Sequence, residues 1–151
     1  MTKVIILDSG PLGLLTQRLG VPDADACRRW LASRTAAGDT VVVPEIADYE
    51  IRRELLRAKK AAGIARLDLF NLTPPVRYVP ITTGAMRRAA ELWALARHRG
   101  TPTADPKKLD ADVILAAQAL TMGVPPAQFV VATTNVSHLS LFLKADLWKN
   151  L

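Results

Sequence analysis

The chain has 151 residues, half of them hydrophobic, with a mean hydropathy of +0.14 and a formal net charge of +6. This length fits a single domain spanning residues 1–151, and the lone Cys27 excludes both a disulfide framework and a cysteine-based metal site. The first apolar stretch is too short for a signal peptide, and no apolar run approaches the about 18 residues of a membrane span, so we expect a cytoplasmic protein that does not contact a membrane.

Apolar runs, glycines and prolines divide the chain into alternating strands and helices. In chain order, the predicted elements are strand 3–7, helix or turn 11–19, helix 23–37, strand 40–43, long helix 45–62, short helix 64–72, strand 76–81, a helix capped by Thr82 or Thr83 and running to 98, polar loop 101–108, helix 110–122, strand 129–132, a short helix after His138, and an edge strand within 146–151. Gly63 is expected to end the long helix. Strands separated by helices predict an α/β fold with a parallel sheet covered on both faces.

Four polar side chains stand where site residues of such a sheet are expected. Asp8 ends the first strand, Glu50 lies in the helix after the second, Asp112 begins a later helix, and Asn135 follows the fourth strand. The carboxyl ends of parallel strands share one edge of the sheet, where ligands of open α/β folds bind. Each residue alone has a structural explanation: a helix cap, a solvated ion pair, a carboxylate favoured by the helix dipole, and a turn. The four together favour a functional site.

Clustered carboxylates suit one particular chemistry. Mg²⁺ and Mn²⁺ prefer oxygen ligands, and carboxylates brought together without a cation repel each other. Phosphodiester hydrolysis needs an activated water and stabilised phosphoryl and leaving oxygens, which one or two such metals supply. The basic charge balance favours a polyanionic partner such as nucleic acid, or an acidic protein. The phosphate-binding, dinucleotide-binding and zinc-protease motifs of common enzymes are absent from the sequence.

Four separated blocks of the sequence resemble the PIN-domain family, most closely the VapC-type ribonuclease toxins of toxin–antitoxin modules. The blocks are 5–12 (IILDSGPL), 50–55 (EIRREL), 112–119 (DVILAAQA) and 130–135 (VVATTN). The resemblance implies a three-layer α/β/α domain with a central parallel sheet of four or five strands. It also implies a metal-dependent endoribonuclease, a cognate antitoxin partner and a homodimer.

The same resemblance assigns roles to individual residues. It implies that Asp8, Glu50 and Asp112 are catalytic acids that bind Mg²⁺ or Mn²⁺, and that Asn135 holds a metal-bound water or a second metal. Ser9 and Thr133 would be supporting hydroxyls, while Glu54 and Asp110 are rivals or assistants of the neighbouring acids. The neutral Asn135 would bind a second metal more weakly than an aspartate. His138 stands where the family often has another acid, and we interpret it as structural.

Two further predictions leave alternatives open. Basic residues in and after the second acidic block could bind the RNA backbone, or could form a solvated helix face: Arg52, Arg53, Arg57, Lys59 and Lys60. Leu92, Trp93 and Leu95 could serve a dimer interface, or could belong to the core. The alternative function is a PIN-like module that binds nucleic acid or a protein with little catalysis. An antitoxin would bring an acidic or apolar segment to the basic, active edge.

Overall fold

A computed structural model describes residues 2–100 and 106–151 of the chain. Within these residues, five strands form one parallel sheet: β1 Val4–Leu7, β2 Thr40–Pro44, β3 Val76–Val79, β4 Phe129–Thr133 and β5 Ala145–Leu147. Their order across the sheet is β3-β2-β1-β4-β5. The first strand is therefore central, and it is paired with a strand from the far end of the chain.

Six α-helices flank this sheet in the described part of the chain. They are α1 Ser9–Leu15, α2 Pro22–Ala36, α3 Glu45–Arg57, α4 Ala61–Leu72, α5 Thr83–His98 and α6 Pro106–Thr121, with 3-10 turns at Pro126–Gln128, Leu139–Leu141 and Trp148–Asn150. Alternate residues of β1 face opposite layers, because Ile5 and Leu7 pack with α1, α2 and α4, whereas Ile6 packs with α6. The predicted three-layer α/β/α fold is confirmed, and its sheet has five strands.

The dense runs of valine, isoleucine and leucine form strands because both faces of the parallel sheet are buried. Every residue of β4 and all but the first residue of β2 are buried. The third strand ends at Val79, two residues earlier than predicted, because Pro80 has no N–H to donate to the sheet. The predicted C-terminal edge strand forms only as Ala145–Leu147. None of the described helices is both long enough and apolar enough to cross a membrane.

The predicted long helix over 45–62 is wrong, because the helix ends at Arg57 and a second helix begins at Ala61. Lys59 adopts a left-handed backbone conformation with φ of 56°, which interrupts the helical path. Gly63 lies inside α4 and does not end a helix. A Cβ at Gly63 would stand 2.7 Å from Leu55 Cδ2, so this glycine lets α3 and α4 approach closely.

The starts of α1 and α6 also differ from prediction. The first helix begins at Ser9, because the Asp8 side chain caps it directly after the strand. The α6 helix begins at Pro106, and proline is tolerated in a first helical turn because its missing N–H has no partner there. The predicted loop 101–108 is therefore helical from Pro106 onward, and its residues 101–105 lie outside the described part of the chain. Asp110 is consequently inside the helix and does not cap it.

Candidate active site

Asp8 is held rigidly at the carboxyl end of the central strand. Its backbone N–H continues the β1–β4 ladder by donating to Ala132 O at 3.0 Å. One carboxylate oxygen accepts the Ser9 N–H at 2.8 Å and so caps α1, and the other accepts the Thr133 hydroxyl at 2.7 Å. The side chain is 5 % exposed. Asp8 is therefore both a helix cap and a fixed carboxylate at the ligand-binding edge of the sheet.

The turn after β4 fits closely against the start of α1. Thr133 is fully buried, and its hydroxyl also accepts the Asn135 N–H at 3.0 Å. The exposed Asn135 side chain accepts the Ser137 N–H at 3.1 Å, which is the turn-stabilising contact considered in the sequence analysis. A Cβ at Gly10 would lie 2.3 Å from Thr134 Oγ1, so only glycine permits this approach.

Buried polar contacts fix the position of α3, which carries Glu50. Gln118 of α6 accepts the Ile46 N–H at 3.1 Å and donates to Val79 O at 2.8 Å. Glu45 accepts the Tyr78 hydroxyl at 3.0 Å and the Ile81 N–H at 2.8 Å. These bonds tie the start of α3 to the end of β3 and to α6, so α3 cannot shift independently of the sheet.

Glu50 is half-buried and lies within electrostatic reach of both Asp8 and Asp112. Burial raises the pKa of its carboxyl, with the negative charges of the two aspartates acting in the same direction and Lys108 opposing them. The structure therefore brings the three predicted acids into one electrostatic neighbourhood at the carboxyl edge of the sheet.

Asp112 is buried on α6, with Lys108 one helical turn before it. Lys108 Nζ lies 3.6 Å from Asp112 Oδ1. Burial raises the pKa of the Asp112 carboxyl despite the ammonium, and the charge of Asp8 adds to this rise. For Lys108, burial alone would lower the pKa, but the charges of Asp112, Asp8 and Glu50 outweigh it and raise the pKa. His138 also lies near enough to act on the Asp112 carboxyl.

The two rival acids are both exposed, unlike Asp8 and Asp112. Glu54 is exposed and accepts the Arg57 guanidinium at 2.9 Å. Asp110 is exposed and lines a groove of about 390 Å³ against α5, with Met86 and Trp93. A two-residue separation on a helix places Asp110 and Asp112 on different faces, as the sequence analysis expected.

The three arginines predicted to bind RNA differ in how far ion pairs within the protein occupy them. Arg52 donates to Asp48 at 2.8 Å and 3.0 Å and to Asp68 at 2.7 Å, so its guanidinium is committed to ion pairs within the fold. Arg53 lies over the Tyr49 ring at 5.2 Å and acts electrostatically on Glu50. Arg57 is exposed and pairs with its helix neighbour Glu54. Arg53 and Arg57 therefore remain available to an incoming phosphate.

The carboxylate oxygens of Asp8, Glu50 and Asp112 are the kind of ligand that a hard divalent cation prefers, but they are not arranged around a common point. The three carboxylates act on one another electrostatically, and burial, reinforced by this like charge, raises the pKa of Glu50 and Asp112, so a bound cation would stabilise their charged forms. Across residues 2–100 and 106–151, no group of three or more histidine, cysteine, aspartate or glutamate side chains has assembled with metal-ligand spacing. Asp8, Glu50 and Asp112 therefore do not form a preassembled metal site in this structure.

Sequence reasoning missed two features of this region. Lys108 escaped notice because it fell in a segment predicted as loop, although its position four residues before Asp112 is the spacing of a helical ion pair. The buried Asp48 was also missed, and it accepts both Arg52 and, at 2.7 Å, the Asn71 amide. The i, i+4 spacing of Asp48 and Arg52 was the available signal.

Comparison with known proteins identifies the family of this chain. The family model for the PIN domain matches residues 5–136, so the chain belongs to the PIN domain family. None of the curated protein sequences matches the chain significantly.

Solved structures share the whole fold at low sequence identity. The chain is similar to a chain of VapBC2 from Rickettsia felis bound to a DNA fragment from its promoter, with a TM-score of 0.72, 15 % identity, and 96 % of this chain and 98 % of that one covered. VapBC-1 from nontypeable Haemophilus influenzae gives a TM-score of 0.66 at 16 % identity over 97 % and 98 % of the two chains. FitAcB from Neisseria gonorrhoeae gives 0.64 at 17 % identity over 97 % and 99 %.

Proposed function

We propose that this PIN-domain protein is a metal-dependent endoribonuclease in which Asp8, Glu50 and Asp112 hold Mg²⁺ or Mn²⁺ at the carboxyl edge of the sheet. The observation that carries the proposal is the anchored Asp8, buried between Ser9 N–H and the Thr133 hydroxyl and within electrostatic reach of the other two acids. A buried carboxylate with this many fixed contacts is pre-oriented for a ligand, which lowers the entropic cost of binding.

In this proposal the residues of the chain position the reacting groups. Thr133 fixes the Asp8 carboxylate, the Ser9 N–H fixes its other oxygen, and Gln118 and Glu45 hold α3 so that Glu50 faces the centre. Asn135, on the turn after β4, would orient a water or help to hold a second metal. Arg53 and Arg57 would contact phosphates of the RNA backbone, while Arg52 is occupied by Asp48 and Asp68. A bound divalent cation would supply an activated water and charge stabilisation on the phosphoryl oxygens.

The proposed partners follow from the same family. The fold is shared with chains of VapBC structures, which supports a cognate antitoxin as partner and use of the nuclease as a toxin. Homodimerisation through α5 would use Trp93 and Leu95, which are 38 % and 46 % exposed. Leu92 is 4 % exposed and belongs to the core, so we leave it out of that surface.

A binding module with little catalysis is the second candidate. The observations that favour it are the neutral Asn135, whose oxygen already accepts the Ser137 N–H, and the absence of an assembled metal-ligand group among the described residues. In such a module, the anchored Asp8 would serve only as the cap of α1.

Cleavage of RNA by purified, antitoxin-free protein in Mn²⁺ or Mg²⁺ tests the proposal. We expect cleavage that stops in EDTA and in Asp8→Asn. Two matched pairs assign the acids: Glu50→Gln and Asp112→Asn should lose cleavage, whereas Glu54→Gln and Asp110→Asn, on the same helices, should keep it. RNA binding should survive in all variants. Absence of cleavage by folded wild-type protein across a broad RNA panel, with binding retained, would establish the binding module.

A further inference from the structure

We propose that the Lys108 ammonium is the resident counter-ion of the acidic centre, and that a divalent cation must displace it to bind. This inference rests on the proposed metal site of Asp8, Glu50 and Asp112. It adds a built-in competitor supplied by the chain itself, which sets how tightly the centre holds a metal.

The geometry of α6 places this ammonium against the centre. Lys108 precedes Asp112 by one helical turn, and its Nζ stands 3.6 Å from Asp112 Oδ1. The Asp112 side chain is only 4 % exposed, whereas that of Lys108 is 38 % exposed. A partly exposed lysine therefore brings its ammonium close to a buried carboxylate.

The charge of Lys108 acts on all three acids. Among the described residues, its positive charge opposes the rise in the pKa of both Glu50 and Asp112. The negative charges of Asp8 and Glu50 in turn raise the pKa of Lys108. Arg53 acts on Glu50 and His138 acts on Asp112, each on one acid of the set. Arg52, on the same helix as Glu50, is engaged elsewhere, because Asp48 and Asp68 bind its guanidinium. Lys108 thus neutralises part of the negative charge of the three acids, as a bound metal ion would.

A lysine in this position is suited to leave it. Its charge sits on a flexible four-carbon stem, and its half-exposed side chain has solvent to move into. A divalent cation brings twice the charge to the same carboxylates, and it repels the ammonium at short range. The two cations therefore compete for one set of oxygens, and the lysine moves outward when the metal enters.

Metal affinity of a charge-neutral variant tests the displacement directly. Calorimetric titration of Mn²⁺ alone into Lys108→Gln should show binding at least about tenfold tighter than in the wild type, because the competing charge is gone. The control is Lys144→Gln, which removes the same charge at an exposed position before β5, at the amino edge of the sheet, and should leave Mn²⁺ affinity unchanged. Lys108→Arg keeps the charge and should bind Mn²⁺ no more tightly than the wild type.

Thermal unfolding gives a second readout that does not depend on activity. In EDTA, Lys108→Gln should melt below the wild type, because three acids lose their counter-ion. Saturating Mn²⁺ should then raise its melting temperature by more than that of the wild type. A variant that folds only in Mn²⁺ would show the same effect in its strongest form.

Amine reactivity of the wild-type protein provides a test without any substitution. Reductive methylation at Lys108, followed by mass spectrometry, should be slow in EDTA and several-fold faster in Mn²⁺, while Lys144 reacts equally in both. If Mn²⁺ binds the wild type and Lys108→Gln equally and Lys108 reactivity does not change, the displacement is refuted and the metal site stands. If Mn²⁺ binds neither protein, the proposed metal-dependent function fails together with this inference.

Discussion

Gly10 offers the sharpest test of how the site is assembled, because it permits the turn after β4 to touch the start of α1. The perturbation is Gly10→Ala, which adds one methyl group 2.3 Å from Thr134 Oγ1, 2.6 Å from its Cγ2 and 3.0 Å from its Cβ. Three atoms of one short side chain are too close, so the turn itself must retreat. Thr134 adjoins Thr133, and the movement therefore reaches the hydroxyl that holds Asp8.

The magnitude follows from two opposing terms. Overpacking of this kind destabilises the fold by about 1–3 kcal/mol. Replacing a helical glycine by alanine stabilises it by about 0.5–1 kcal/mol. We expect Gly10→Ala to lower the free energy of unfolding by about 1–2 kcal/mol. For a chain of this size, each kcal/mol lowers the melting temperature by about 2–4 °C. RNA cleavage should fall with it, because Asp8 loses its fixed orientation.

Gly84→Ala is the matched control for this experiment. Gly84 is also the second residue of a helix, and its added Cβ would meet nothing closer than Thr82 Oγ1 at 3.8 Å. This variant should gain about 0.5–1 kcal/mol of stability and keep full activity. Urea unfolding and RNA cleavage of both variants decide the matter. Equal stability changes in the two variants would refute the close packing of the turn against α1.

Two further predictions concern the same centre. Thr133→Val keeps the shape of a buried side chain but removes the hydroxyl from Asp8 and Asn135, so it should cost about 1.5–3 kcal/mol in urea unfolding. In the control Thr121→Val, the residue is exposed and its hydroxyl donates to Ala117 O of its own helix, so stability should change by less than about 0.5 kcal/mol; a cost as large as that of Thr133→Val would contradict the role of the Asp8 contact. The raised pKa of Asp112 means that the folded protein binds more protons than the unfolded chain above about pH 4, so stability in EDTA should fall as pH rises through this window. Asp112→Asn should therefore melt higher than the wild type at pH 7 in EDTA and lose that advantage toward pH 4, and an advantage that is constant with pH would exclude the titration of this carboxyl as its cause.

The strands and the family were predictable because their signals are local. Buried parallel strands require dense runs of branched aliphatic residues, and such runs marked β1, β2 and β4 within one residue. The edge strand β3 (VRYV) is less buried, and its predicted end was two residues too late. Placing Asp8, Glu50 and Asp112 near one another required only that parallel strands share their carboxyl edge. The roles of these residues in catalysis remain a prediction.

The errors arose where a residue serves packing or pairs with a distant residue. Gly63 was interpreted as a helix stop, but it is small so that Leu55 can pack against it. Arg52 was interpreted as a basic surface residue, but it neutralises the buried Asp48. Lys108 was hidden by the prolines around it, which favour a loop when considered alone. In each case the deciding contact depends on a three-dimensional neighbour or on a helix whose start the sequence obscures.

The pairing of β1 with β4 has a consequence for how the protein is made. Asp8 emerges from the ribosome early, but its Thr133 partner follows 125 residues later. The central strand must therefore wait, with one edge unpaired, until β4 has been synthesised. A chain cut short before residue 129 lacks the Thr133 anchor of Asp8, and so unfinished copies of this protein should lack the cleavage activity that we propose for it.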